Sequence, residues 1–199
     1  AWLGTAIAMC AAMGVAVSAV VTGRLNTEGQ CSLMDDRPYV TRAAMEGMER
    51  YIQIASSLRA DLVLGWVRGQ VPRGQDPRPY YDRLARNLGC LAKTAKDQNV
   101  KINLEVINRY EINTFNTAEE TAAFLENYQL ENCYVHLDTF HMMIDECDPV
   151  QAVHRCAGKL GYFHVADNSR RYPGSGQIDF SRILSALKEI GYEGYLSVE

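Results

Sequence analysis

The sequence is short of the features that mark specialised chains. None of its six cysteines (Cys10, Cys31, Cys90, Cys133, Cys147 and Cys156) forms a CxxC pair, which removes the spacing of zinc ribbons and thioredoxin-like redox motifs. A chain of 199 residues buries a sizeable core without staples. The cysteines therefore read as reduced thiols, small buried hydrophobes in a reducing compartment, the cytoplasm. Positive charge is scarce too: 20 Lys and Arg face 24 Asp and Glu, a net charge of −4. No cationic field exists to hold a phosphate backbone, so nucleic acid is not an expected partner. With no low-complexity linker and no block of like charge, residues 1–199 read as a single domain.

No charged residue precedes Arg24, yet the apolar opening lacks the grammar of a membrane span or signal peptide. Gly4, Gly14 and Ser18 interrupt it, no basic stretch precedes it, and residues 15–21 form the β-branched run of a buried strand. No membrane partner is expected. The chain starts at Ala1 rather than Met and stops at Glu199 inside the apolar run GYLSVE, so the domain reads as truncated at both ends.

Further along, apolar runs alternate with stretches of helical periodicity. Strands are predicted over 15–22, 61–66, 100–107, 133–140, 161–166 and 194–199, and helices over 40–58, 80–97, 117–128, 150–157 and 180–190. Continuously apolar strands separated by helices predict a parallel sheet covered by helices, hence an α/β fold.

Four side chains break the apolar pattern near the carboxyl ends of separate predicted strands. They are Glu105 in INLEVIN, Asp138 in VHLDTFH, His164 in YFHVAD and Glu199 in LSVE, at separations of 33, 26 and 35 residues, about one strand–helix unit each. A lone acid at a strand end is ordinarily a helix cap or a surface ion pair. Four metal-capable groups in consecutive units are another matter, because the carboxyl ends of neighbouring parallel strands share one rim. Three carboxylates and one imidazole make a hard, oxygen-rich set that suits one divalent ion, Mn²⁺ first, with Mg²⁺ or Co²⁺ as alternatives.

The segments LEVINRYE, HLDTFHMMIDE, FHVADNSR and PGSGQIDF resemble the xylose-isomerase-like TIM barrels, and within them the ketose 3-epimerases and hydroxypyruvate isomerases. The resemblance implies a (β/α)8 TIM barrel, here incomplete, with strands 2 to 7 of the family barrel. It implies that Glu105, Asp138, His164 and Glu199 hold the metal and that Glu105 and Glu199 are also the catalytic acid and base. It further implies that His141, Arg170 and Glu111 contact a small sugar substrate, and it leaves room for a homo-oligomer. Other readings stay open: His141 as a helix cap, Arg170 paired with Asp167, Glu111 as a solvated loop acid. His136 points to the same side as Asp138 and reads as barrel-interior packing, His154 as a surface or packing residue. Trp66 and Phe140 read either as an apolar wall for the sugar or as core. Gly174 and Gly176 permit a tight loop, and Asp179 is placed to cap the helix beginning near Phe180.

The implied activity is a metal-dependent isomerase or epimerase that moves a proton at the carbon next to a ketose carbonyl through an enediolate. A sugar dehydratase on the same metal site and a non-catalytic carbohydrate-binding fragment are the alternatives. A DNA-repair endonuclease of this superfamily would need more metals and more than four histidines. Only Arg170 and Arg171 supply cations near the predicted rim, which favours an unphosphorylated sugar.

Overall fold

A computed structural model of the chain describes residues 2–199; Ala1, where the expected domain starts, lies outside them. The elements in chain order are α1 (Trp2–Ala12), β1 (Ala19–Val21), α2 (Gly23–Thr27), α3 (Pro38–Leu58), β2 (Asp61–Leu64), α4 (Arg78–Asp97), β3 (Ile102–Glu105), α5 (Ala118–Asn127), β4 (Cys133–Asp138), α6 (Thr139–Asp145), α7 (Pro149–Arg155), β5 (Leu160–Val165), α8 (Phe180–Glu189) and β6 (Leu196–Val198), with one 3₁₀ turn at Trp66–Arg68.

The helices form where apolar residues recur three or four apart. In α3 the buried stripe is Val40, Ala44, Met48, Ile52 and Ala55. A proline starts that helix, where its missing N–H costs nothing, and Arg59 ends it in the left-handed conformation, its N–H bonded to the carbonyls of Ala55 and Ser56. In α4 the stripe is Leu84, Ala85, Leu88, Leu91, Ala92 and Ala95. Both lie against the sheet and bury about the same kind of surface, each large aliphatic side chain contributing roughly 1.5–3 kcal/mol.

All six strands are parallel and lie in the order β1-β2-β3-β4-β5-β6. This order decides the architecture. A doubly wound sheet reverses its strand order once and puts helices on both faces, whereas an unbroken run keeps every crossover on one face and bends the sheet into the arc of a barrel. Strand alternation then sorts the side chains. Leu62, Leu64, Ile102, Leu104, Val135, Leu137, Phe163 and Val165 join the core under the helices. The residues between them, Val63, Asn103, Glu105, His136, Asp138, Tyr162 and His164, belong to the concave side.

One element was not expected, and one expectation needs correction. Residues 2–12, part of the apolar opening, form helix α1, which touches α3 and at 11 residues is far below a bilayer's span. The strand expected over 15–22 is only Ala19–Val21, and it is an edge, with Val15 and Val21 exposed rather than buried. Among the described residues no helix is long and apolar enough to cross a membrane. The six cysteines are free, with Cys31, Cys133 and Cys156 buried but Cys90 and Cys147 exposed.

Candidate functional site

Strand register assembles the polar residues of the concave face. Asp138 lies opposite His164 across β4 and β5, and Glu105 lies opposite His136 across β3 and β4. Glu199 follows β6 directly, its N–H bonded to the carbonyl of Val165. One ligand atom each from Glu105, Asp138, His164 and Glu199 consequently falls within 4.8 Å of the others.

Asp138 is fully buried and does two jobs. Its Oδ1 accepts the Phe140 N–H at 2.8 Å and caps α6, while Oδ2 accepts from Arg170 Nη1 at 2.6 Å. The strand expected to run on to residue 140 stops here because that cap turns the chain into a helix. Arg170 also reaches Glu199, Nη2 to Oε2 at 3.0 Å, and Glu199 Oε2 lies 2.5 Å from His164 Nδ1. Arg170 therefore does not pair with the Asp167 side chain. Its guanidinium rests on the Phe140 ring, 4.7 Å from the centroid, so Phe140 supports Arg170 from the start of α6.

The carboxylates differ in their environment. Burial pushes the Glu105 carboxyl up to about 7, and the negative charges of Glu199 and Asp138 add to the effect. Burial would raise Glu199 too, but the hydrogen bond to His164 and the charges of His164 and Arg170 hold it at about 2. For His164, burial works against charging, yet the Glu199 hydrogen bond and the surrounding carboxylates outweigh it and raise the imidazole above its usual value. The two carboxyls thus differ in how readily they hold a proton.

A hard dication fits this donor set. Three carboxylates and one imidazole are oxygen-rich, and the mutual repulsion that raises Glu105 is what a central positive charge would relieve. The backbone also makes room, since a Cβ on Gly65 would lie 2.8 Å from Glu105 Oε2.

Beside the tetrad opens a cavity of about 340 Å³ lined on one side by Val21, Trp66 and Ile107 and on the other by Glu111, His141 and Arg170. His141 is buried, the third residue of α6 and not its cap, with Nδ1 2.8 Å from Asn108 Nδ2. Asn108 in turn donates to Glu111 Oε1 at 2.9 Å, so Glu111 is tethered rather than a free loop acid. A larger hollow of about 550 Å³, lined by Asn26, Gln30, Asp35 and Arg37 among others, holds none of the tetrad but shares Trp66 and Glu111 with the cavity.

Three residues received no supporting role in the sequence reading. Arg68 is fully buried and donates to the carbonyls of Glu105, Gly65 and Thr114, fixing the end of β3. Asn108 orients His141 as above. Asp167 gathers the backbone N–H groups of Asn168, Gly174 and Ile178 and closes the loop that carries Arg170. Asn108 was visible as a polar residue just past a strand; Arg68 and Asp167 gave no local signal. Asp179 caps α8 by accepting from Arg182 N. His154 lies on α7, 3.4 Å from Glu189.

Comparison with known proteins agrees with this architecture. The model of the xylose isomerase-like TIM barrel family matches residues 7–199. An L-ribulose 3-epimerase of Mesorhizobium japonicum is 44% identical over 124 residues, 61% of this chain and 42% of that protein. A ketose 3-epimerase of Arthrobacter globiformis is 32% identical over 193 residues, 96% of this chain and 65% of that protein. A solved structure of L-ribulose 3-epimerase superposes with a TM-score of 0.89 at 34% identity, covering 99% of this chain and 66% of that one. The chain thus spans two thirds or less of the length of these relatives. Six consecutive parallel strands and the match over nearly the whole chain lead to one conclusion: it belongs to the xylose isomerase-like TIM barrel family.

Proposed function

We propose that the protein is a ketose epimerase acting at the carbon next to the carbonyl, with aldose–ketose isomerisation as the alternative outcome of the same chemistry. The observation that carries this reading is the convergence of Glu105, Asp138, His164 and Glu199 within 4.8 Å at the wall of a cavity that also presents His141, Arg170 and Glu111. The names of the relatives, L-ribulose 3-epimerase and ketose 3-epimerase, support it.

In this reading the tetrad holds one divalent ion, Mn²⁺ before Mg²⁺ or Co²⁺. Bound there, the ion would polarise a ketose carbonyl and acidify the neighbouring C–H. Glu105 and Glu199 enter the cavity from β3 and from beyond β6, with β4 and β5 between them. One carboxylate takes the proton from one face of the carbon, and the other returns a proton to the opposite face, which inverts the centre. Arg170 and His141 supply hydrogen-bond donors to the enediolate oxygens. Glu111, fixed by Asn108, receives a substrate hydroxyl, and Trp66 covers the sugar's apolar face. Among the described residues lining the cavity, the only Arg or Lys is Arg170, which Asp138 and Glu199 already engage; a free sugar therefore suits the cavity better than a phosphorylated one. The free thiols favour the cytoplasm as its compartment.

The test is a screen of free and phosphorylated ketoses with added Mn²⁺ in D₂O. Solvent deuterium should appear on the carbon next to the carbonyl, and Glu105→Gln and Glu199→Gln should each lower turnover about 100-fold while substrate binding suffers less. Loss of water instead of inversion would assign a dehydratase. Turnover that survives both substitutions would overturn the two-glutamate mechanism.

A further inference from the structure

His136 occupies the same concave face as Asp138, two residues deeper along β4, about 7 Å toward the barrel interior. It is fully buried, and neither of its ring nitrogens has a hydrogen-bond partner. That is unusual for an imidazole, whose neutral form offers one donor and one acceptor. The ring is not packed in an apolar slot either. It stands edge-on to the His164 ring with centroids 4.3 Å apart and to the Tyr162 ring at 5.3 Å, and across the sheet it is registered opposite Glu105. One ligand atom each from Glu105, His136 and His164 lies within 4.8 Å of the other two. Two members of the tetrad therefore also face a second, deeper group that has a free nitrogen.

We propose that Glu105, His136 and His164 form an inner cation position, distinct from the tetrad, that takes a borderline ion such as Zn²⁺. The donor chemistry separates the two positions. The tetrad offers three oxygens and one nitrogen, the preference of a hard ion, while the inner trio offers two imidazoles and one carboxylate. Three protein ligands with a fourth position open is a common zinc arrangement. Because Glu105 and His164 belong to both sets, the two positions compete for these ligands, and zinc at the inner trio weakens Mn²⁺ at the tetrad. The inference rests on reading the tetrad as a metal centre, and the experiment separates the two.

Crystals of the full protein grown with Zn²⁺ and, separately, with Mn²⁺ would locate each ion by anomalous scattering at its own absorption edge. The expected Zn²⁺ peak lies about 2.1 Å from a His136 ring nitrogen, and the Mn²⁺ peak lies against Asp138 and Glu199. In solution, His136→Leu and His136→Gln should weaken Zn²⁺ at least tenfold and leave Mn²⁺ within about twofold. Both ions at the tetrad, with only an ordered water against His136, would overturn the inner position while leaving the tetrad intact. Zinc affinity unchanged in either folded variant would do the same. A Zn²⁺ peak at His136 with no Mn²⁺ peak at Asp138 would instead support the inner position and overturn the tetrad reading.

Discussion

Gly65 is a residue whose missing side chain serves its neighbour. A Cβ there would press on Glu105 Oε2, the end of a side chain that must swing aside to make room. Gly65→Ala should displace Glu105 and weaken Mn²⁺ binding about tenfold, or about 1.4 kcal/mol, in a calorimetric titration; unchanged affinity would show that the carboxylate swings clear of the added methyl. Glu105 also makes a pH prediction. Its folded pKa of about 7 stands above the ordinary 4.5, so the fold binds the proton more tightly than the unfolded chain does. The corresponding stability is complete below about pH 4.5 and is lost as pH rises through about 7, an effect of roughly 3 kcal/mol. Denaturation with a chelator present should therefore show falling stability between pH 5 and 8, and Glu105→Gln should flatten that slope. His164, also raised, loses its contribution in the same direction, whereas the lowered Glu199 contributes fully above about pH 4.5 and loses its contribution only as pH falls below that value. Glu105, Asp138, His164 and Glu199 were each legible in the sequence because a polar residue breaking an apolar strand is a local signal. Arg68 was not, since its bonds to Glu105 and Thr114 cross 37 and 46 residues.

At the scale of elements, the segment between β5 and α8 is a loop built on one buried carboxylate. Asp167 accepts N–H groups from Asn168, Gly174 and Ile178, and a Cβ at Gly176 would collide with Asp167 and Asn168. Arg170 sits in this loop with a φ of +57, a strained conformation that the surrounding bonds must hold. Asp167→Ala should release the loop. Trypsin cleavage after Arg170 and Arg171 should then rise about tenfold, by local opening rather than global unfolding, and Asp167→Asn, which keeps one acceptor oxygen, should show a smaller rise. Cleavage unchanged in Asp167→Ala would show that the loop is held by something else. The long helices α3 and α4 were plain from their stripes. The short α2 and α6 were not: five residues hold too few turns for periodicity to register, and α6 follows β4 without a break, so its first residues read as the end of that strand.

Across the whole molecule, the sheet has two edges, β1 and β6. Val21 is 57% exposed on one, and Leu196 and Val198 are 46% and 66% exposed on the other. Apolar edge strands with free backbone groups pair with whatever offers a complementary edge. Expressed as these 199 residues alone, the chain should self-associate with rising concentration in light scattering, and Val198→Lys should reduce it. A monomer at about 100 μM that Val198→Lys leaves unchanged would show that the edges are protected.

By itself the sequence determined the order and kind of the main elements, because strand and helix periods are local patterns that burial imposes on neighbouring residues. It also determined which four side chains interrupt those patterns at strand ends. Only the tertiary structure decided how far each strand extends: the Asp138 cap ends β4, and the position of β1 at an edge exposes Val15 and Val21. It alone decided that Arg170 turns to Asp138 and Glu199 rather than to Asp167, that Asn108 links His141 to Glu111, and that His136 lies beside His164 with both nitrogens unpartnered. Most of those outcomes join residues 28 to 33 positions apart in the chain, and a pairing that the fold creates leaves no trace in the residues nearby.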